Sequence, residues 1–129
     1  MKQCLSSWNI GVIDLYDRIP ERNGVYAFTA AHTGLPQRPD GTLFAKRFRA
    51  MPLDEIEVKD STVFVNGIAV AKGFIHAPLL NKTPDDFERY EVLDPGTYQG
   101  FGDTYDSFDS RYWGDIDESQ VIGRLHALF

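Results

Sequence analysis

A chain of 129 residues with 43% hydrophobic, 13% aromatic and 25% charged side chains can build one aromatic-rich core; it is short for two domains and too apolar for a disordered segment. Its formal net charge of −6, with no basic cluster beyond Lys46-Arg47-Phe48-Arg49, excludes the concentrated positive surface that phosphate contacts need, so no nucleic-acid partner is expected. A single cysteine, Cys4, excludes an intrachain disulfide, and no stretch approaches the ~18 apolar residues of a membrane span.

The opening stretch, MKQCLSSWNIGVID from residue 1, is too polar and too short for a signal-peptide core. Strand signals then dominate. Short β-rich runs bounded by Gly, Pro, Asn or Asp occupy residues 24–28 (GVYAF), 42–48 (TLFAKRF), 55–60 (EIEVKD), 61–71 (STVFVNGIAVA), 97–101 (TYQGF) and 120–129 (QVIGRLHALF). Within residues 61–71, two such runs flank Asn66-Gly67, the pair a two-residue type I′ hairpin turn requires. Residues 36–41 (PQRPDG) and 93–98 (LDPGTY) carry turn chemistry. Residues 83–90 (TPDDFERY) offer a Thr N-cap, Pro at the first helical position and early acids, which predicts one short helical turn. There are no internal repeats, and the expectation is one mainly β, barrel-like domain over residues 1–129 with irregular loops.

Two stretches stand out chemically. Alternation along residues 42–48 places Phe44, Lys46 and Phe48 on one face and Ala45 and Arg47 on the other. A lysine between two phenylalanines is either a buried amine or a chain whose stem packs while its head reaches water. The second stretch, GDTYDSFDSRYWG from residue 102, is too polar for a core strand and too aromatic for a plain linker. The three histidines, His32, His76 and His126, have no ligand spacing, so no metal and no cofactor is expected.

Taken together, FAKRFRAMPLDEIEVKDSTVFVNGIAV and DPGTYQGFGDTYDSFDSRYWGDIDESQVIGRLHALF resemble two motif regions of the type I signal peptidases (family S26), endopeptidases that use a serine with a lysine base. The first carries Lys46-Arg47, Pro52, Asp54 and Val65-Asn66-Gly67. The second carries Gly102-Asp103, then Ser107, Asp109, Ser110, Arg111, Tyr112, Trp113 and Gly114. The SFDSRYWG run is most similar to the conjugative-transfer branch, often termed TraF-like. The resemblance covers about residues 1–75 and 91–129, leaving 76–90 as a variable connection. Departures are Leu53 where the family has Gly, Thr104 where it has Asn, and a shorter loop between Asp103 and Ser107.

The resemblance implies a mainly β, signal-peptidase-like barrel-type catalytic domain, of the kind also found in self-cleaving repressors. It implies Lys46 as general base, Ser107 orienting its amine, Asp109 and Arg111 as a charge pair fixing the loop, Asp103 as a structural partner, and Tyr112 and Trp113 as anchors. The nucleophile falls in the opening stretch: Cys4 is favoured because Leu5 follows it as in the family pattern, with Ser7 and then Ser6 as alternatives. Leu5, Trp8 and Ile10 are the candidate substrate-lining residues. A thiol, with an ordinary pKa near about 8.5, asks less of its base than a hydroxyl does. The implied substrate is a secreted precursor polypeptide such as a conjugative prepilin. The implied location is the bacterial cytoplasmic (inner) membrane, reached through an anchor upstream of Met1, with the catalytic domain on the periplasmic or outer side. The alternative is a non-catalytic relative that binds peptides or assists assembly of a conjugation (type IV secretion) apparatus.

Overall fold

A computed structural model of the protein describes residues 11–127. Ten strands follow in chain order: β1 (Gly11–Asp14), β2 (Val25–Thr29), β3 (Leu43–Ala50), β4 (Glu55–Lys59), β5 (Thr62–Val65), β6 (Ile68–Lys72), β7 (Arg89–Val92), β8 (Thr97–Phe101), β9 (Ile116–Asp117) and β10 (Val121–Ala127). One turn of α-helix, α1 (Ser110–Trp113), lies between β8 and β9, and short 3-10 turns lie between β6 and β7 and before β10. The strands form two sheets, one ordered β1-β10-β2-β3-β8-β9 and the other β6-β5-β4-β7, and every pairing is antiparallel. The expected mainly β class is thus the observed one.

Local chemistry explains most of these elements. In β3 every second residue is buried, so Phe44, Lys46, Phe48 and Ala50 share the inward face, the alternation expected from residues 42–48. Between β5 and β6, Asn66 and Gly67 adopt φ of 51° and 83°, the left-handed pair of a type I′ turn. β8 occupies the residues expected of it, 97–101.

The segment expected as one helical turn divides in two. Residues Pro84–Phe87 do form a 3-10 turn, its start held by the Thr83 N–H donating to the Asp86 carboxylate at 2.8 Å. Beyond it, Arg89–Val92 leaves as β7 and pairs with β4. Phe87, buried and stacked on Phe74 at 5.0 Å, pins the turn so that Arg89–Val92 meets the edge of β4. β1 and β9, also unexpected, are short, and β1 is an edge strand, the kind with the weakest sequence signal.

Two apolar clusters hold the sheets. One gathers Tyr26, Phe28, Phe44, Phe48, Tyr98, Ile116 and Val121 against the six-stranded sheet. The other gathers Ile56, Val58, Val63, Val65, Phe74, Phe87, Leu93, Phe101 and Tyr112 around the four-stranded sheet. Phe108 and Trp113 pack against both clusters. The α1 segment therefore lies at the seam of the two cores.

Candidate active site

Lys46 is placed by β3, and its side chain is only 2% exposed. The head is inside, not in water, which excludes the snorkelling arrangement. Its Nζ donates to Ser107 Oγ at 2.8 Å, a buried contact between residues far apart in sequence, and lies 5.6 Å from the centre of the Phe44 ring. Room for the lysine comes from the neighbouring strand, where Gly100 pairs with Phe48. A Cβ on Gly100 would stand 3.0 Å from the Lys46 Cβ and 3.3 Å from both Phe48 and Ile116.

Ser107 sits in the loop that leads into α1, and the following residues fix that loop. Asp109, fully buried, caps α1 through its Oδ1, which accepts the Arg111 N–H. The same carboxylate receives Arg111 Nε at 2.8 Å and Nη2 at 2.9 Å, a two-pronged charge pair of the strong kind, and accepts the Gly102 N–H at 3.0 Å. The remaining Arg111 nitrogen, Nη1, donates to the carbonyls of Lys72, Gly73 and Tyr105. Every arm of this buried charge is satisfied, as burial demands. Ser110 Oγ accepts the Gly100 N–H at 2.9 Å and so ties α1 to the strand beside Lys46.

The aromatic pair that ends α1 divides its work between the cores. Tyr112 packs against Phe74, Phe87 and Phe108, and burial pushes its phenol up from the ordinary value. Trp113 stacks on Phe44 at 6.0 Å with its plane only 4° away. Asp103, by contrast, is near the surface: it receives Arg47 Nε at 3.2 Å and Nη2 at 3.3 Å. Arg47 is thus engaged in an ion pair.

A second motif aspartate, Asp54, organises the corner between β3 and β4. It accepts Arg22 at 2.7 and 3.1 Å, the Met51 N–H at 2.8 Å and the Asn66 amide at 3.0 Å. Burial works to raise this carboxyl, and the Arg22, Met51 and Asn66 hydrogen bonds together hold it below the ordinary carboxylate value. Leu53, which stands where glycine was expected, does adopt a left-handed φ of 71°. The corner keeps the glycine-type conformation without the glycine.

The expected nucleophile positions, Cys4, Ser6 and Ser7, and the expected lining residues Leu5, Trp8 and Ile10, lie outside the described residues. The structure brings together Lys46, Ser107, Asp109 and Arg111 as one connected group and sets Asp103 beside it. Sequence reasoning passed over Gly100, named Ser110 within the motif without giving it a role, and took His76 only as a histidine without ligand spacing. Gly100 had a legible signal, a glycine inside a strand run, which marks a close approach by another group.

Two other features are set apart from this group. An open depression of about 470 Å³ is lined by His32, Lys82, Arg89, Trp113 and Asp115 among others, and neither Lys46 nor Ser107 borders it. His126 gathers with Asp14 and Asp17, potential ligand atoms lying within 4.8 Å of one another. There Asp14 already accepts the Tyr16 N–H, and Arg124 lies 3.9 Å from Asp17, supplying the positive charge those carboxylates face.

The family described as "Signal peptidase, peptidase S26" matches residues 12–129. The chain belongs to the signal peptidase family. The matched range contains Lys46, Ser107, Asp109 and Arg111 and begins after Cys4, Ser6 and Ser7. Among signal peptidase relatives, the chain is 32% identical over 118 residues to the probable signal peptidase I-2 of Synechocystis sp., a match covering 87% of this chain and 49% of that protein. It is 29% identical over 100 residues to signal peptidase IB of Staphylococcus aureus, covering 67% and 52%. The chain thus spans about half the length of the curated relatives it matches. In fold, it is similar to the crystal structure of a signal peptidase I from Enterococcus faecalis, with a TM-score of 0.51 and 24% identity over 85% of this chain and 99% of that one. Among the described residues, no helix is long and apolar enough to cross a membrane.

Proposed function

We propose that this chain is the catalytic domain of a signal peptidase-type endopeptidase that cuts a secreted precursor polypeptide, with Lys46 as general base. The observation that carries this reading is the buried Lys46 Nζ held 2.8 Å from Ser107 Oγ in a loop fixed by the Asp109–Arg111 pair. A lysine serves as a base only as the neutral amine. Ser107 orients that amine, and fixed geometry is what a proton transfer needs.

In the proposed reaction the Lys46 amine takes the proton of the nucleophile, Cys4 Sγ or the hydroxyl of Ser7 or Ser6. The nucleophile then attacks the scissile carbonyl carbon. The tetrahedral adduct collapses as the peptide C–N bond breaks, and the Lys46 ammonium gives its proton to the leaving amine. Water, deprotonated by Lys46, attacks the resulting acyl-enzyme and releases the second product with the nucleophile reprotonated. The backbone N–H of the nucleophile supplies one donor to the oxyanion. In this reading an extended substrate pairs with a strand edge, with Leu5, Trp8 and Ile10 as the candidate lining residues. The conjugative prepilin class of substrate, and a site of action at the outer side of the bacterial cytoplasmic membrane, rest on the TraF-like character of Ser107 to Gly114.

The test is cleavage of a candidate prepilin followed by mass, with wild type beside Lys46→Ala, Cys4→Ala, Cys4→Ser, Ser6→Ala and Ser7→Ala. Loss in Lys46→Ala and Cys4→Ala, with Ser6→Ala and Ser7→Ala active, assigns a Cys–Lys dyad. Loss confined to one serine variant, beside Lys46→Ala, moves the nucleophile there. A wild type that binds the precursor without cutting it refutes the enzymatic reading and leaves the non-catalytic peptide-binding role.

A further inference from the structure

Ser107 can hold the Lys46 amine only as well as its own backbone is held. On the far side of the loop that task falls to Arg111, whose Nη1 reaches back to the carbonyls of Lys72 and Gly73 at the end of β6. The chain leaving β6 then returns a contact of its own. His76 Nε2 lies 2.5 Å from the carbonyl oxygen of Asp106, the residue immediately before Ser107. Its backbone N–H donates to the Tyr112 hydroxyl at 3.0 Å. Its ring meets the edge of Phe108, the residue immediately after Ser107, at 6.2 Å and 85°, and packs on Tyr112 at 5.8 Å. One half-buried imidazole therefore touches the residues on both sides of Ser107.

We propose that His76 is a positioning residue for the Lys46–Ser107 pair, acting through the Asp106 carbonyl. The inference rests on the peptidase reading above and adds to it a residue from the variable connection, outside the motif regions. A carbonyl oxygen only accepts, so His76 Nε2 carries the proton in this contact. The neutral Nε2–H form and the imidazolium both supply that donor. An amide nitrogen at the same reach can replace it, whereas a phenyl ring keeps the packing and loses the donor.

His76→Phe and His76→Gln are compared with wild type in the full chain, using a quenched fluorescent peptide with an Ala-x-Ala cleavage sequence and, independently of activity, the NMR resonance of Lys46 Cε in lysine-labelled protein. His76→Phe is expected to lower kcat about tenfold, the scale of a sub-ångström misplacement, with KM within about twofold. It is also expected to move the Lys46 resonance as Ser107→Ala does. His76→Gln restores both toward wild type. Should wild type fail to cut the peptide while the Lys46 resonance still moves in His76→Phe and returns in His76→Gln, the peptidase reading falls and the positioning role stands. An unmoved Lys46 resonance in His76→Phe overturns the proposal. So does equal loss in His76→Phe and His76→Gln accompanied by a lower Tm, the signature of a merely structural residue.

Discussion

Asp109 and Asp54 each gather four hydrogen-bond donors around one carboxylate, two of them from an arginine guanidinium. The Arg111 side chain facing Asp109 is 1% exposed, and the Arg22 side chain facing Asp54 is 46% exposed. The same chemistry therefore does different work. In the sealed pair, loss of one partner strands a charge that water cannot reach, so only one geometry is tolerated. At the open corner, water replaces the arginine, and the remaining donors still hold the turn. The sealed pair lies two and four residues after Ser107, where a fixed hydroxyl matters. The open one shapes the bend between β3 and β4.

Arg111→Met is the hardest test of that contrast. It leaves Asp109 buried without its counter-charge and is expected to cost about 3–5 kcal/mol of folding stability, read from urea unfolding. A loss no greater than that of Arg22→Met would break the comparison. Gly100→Ala probes the sealed side by volume instead of charge. Its new methyl must displace Lys46, Phe48 or Ile116, with an expected cost of about 1–3 kcal/mol in the same assay.

Acidification probes the open corner. The folded-state carboxyl of Asp54 is held below its ordinary value. The stability it contributes is therefore complete above the unfolded value of about 4 and is lost as pH falls through the lower folded value. Measured across pH, the stability advantage of wild type over Asp54→Asn should be constant in the neutral range and shrink only under acid. An advantage that grows under acid would reverse the assignment. Smallest is Arg22→Met itself, expected to cost about 0.2–1 kcal/mol and to depend on salt, because its guanidinium is largely solvated.

Parts of the fold were legible in the sequence alone. The alternation of Phe44, Lys46 and Phe48 marked one face of a strand, and Asn66-Gly67 marked a hairpin, because both follow from backbone periodicity and φ preference over a few residues. The Ser107, Asp109 and Arg111 grouping was legible through the resemblance alone. In isolation the same letters describe an ordinary polar turn. β7 was hidden because its pairing with β4 depends on Phe87 docking against Phe74, a contact the local sequence does not announce.

What the sequence by itself determined is local: the inward face of β3, the turn at Asn66-Gly67 and the family to which the chain's motifs point. Tertiary structure decided whether the Lys46 head sits in water or against Ser107, and which of the two aspartates has a sealed arginine partner. It also brought His76, from the variable connection, against the loop that carries Ser107. Those outcomes depend on burial and on contacts between residues distant in the chain, and burial is a property of the assembled sheets, to which no single stretch of sequence has access.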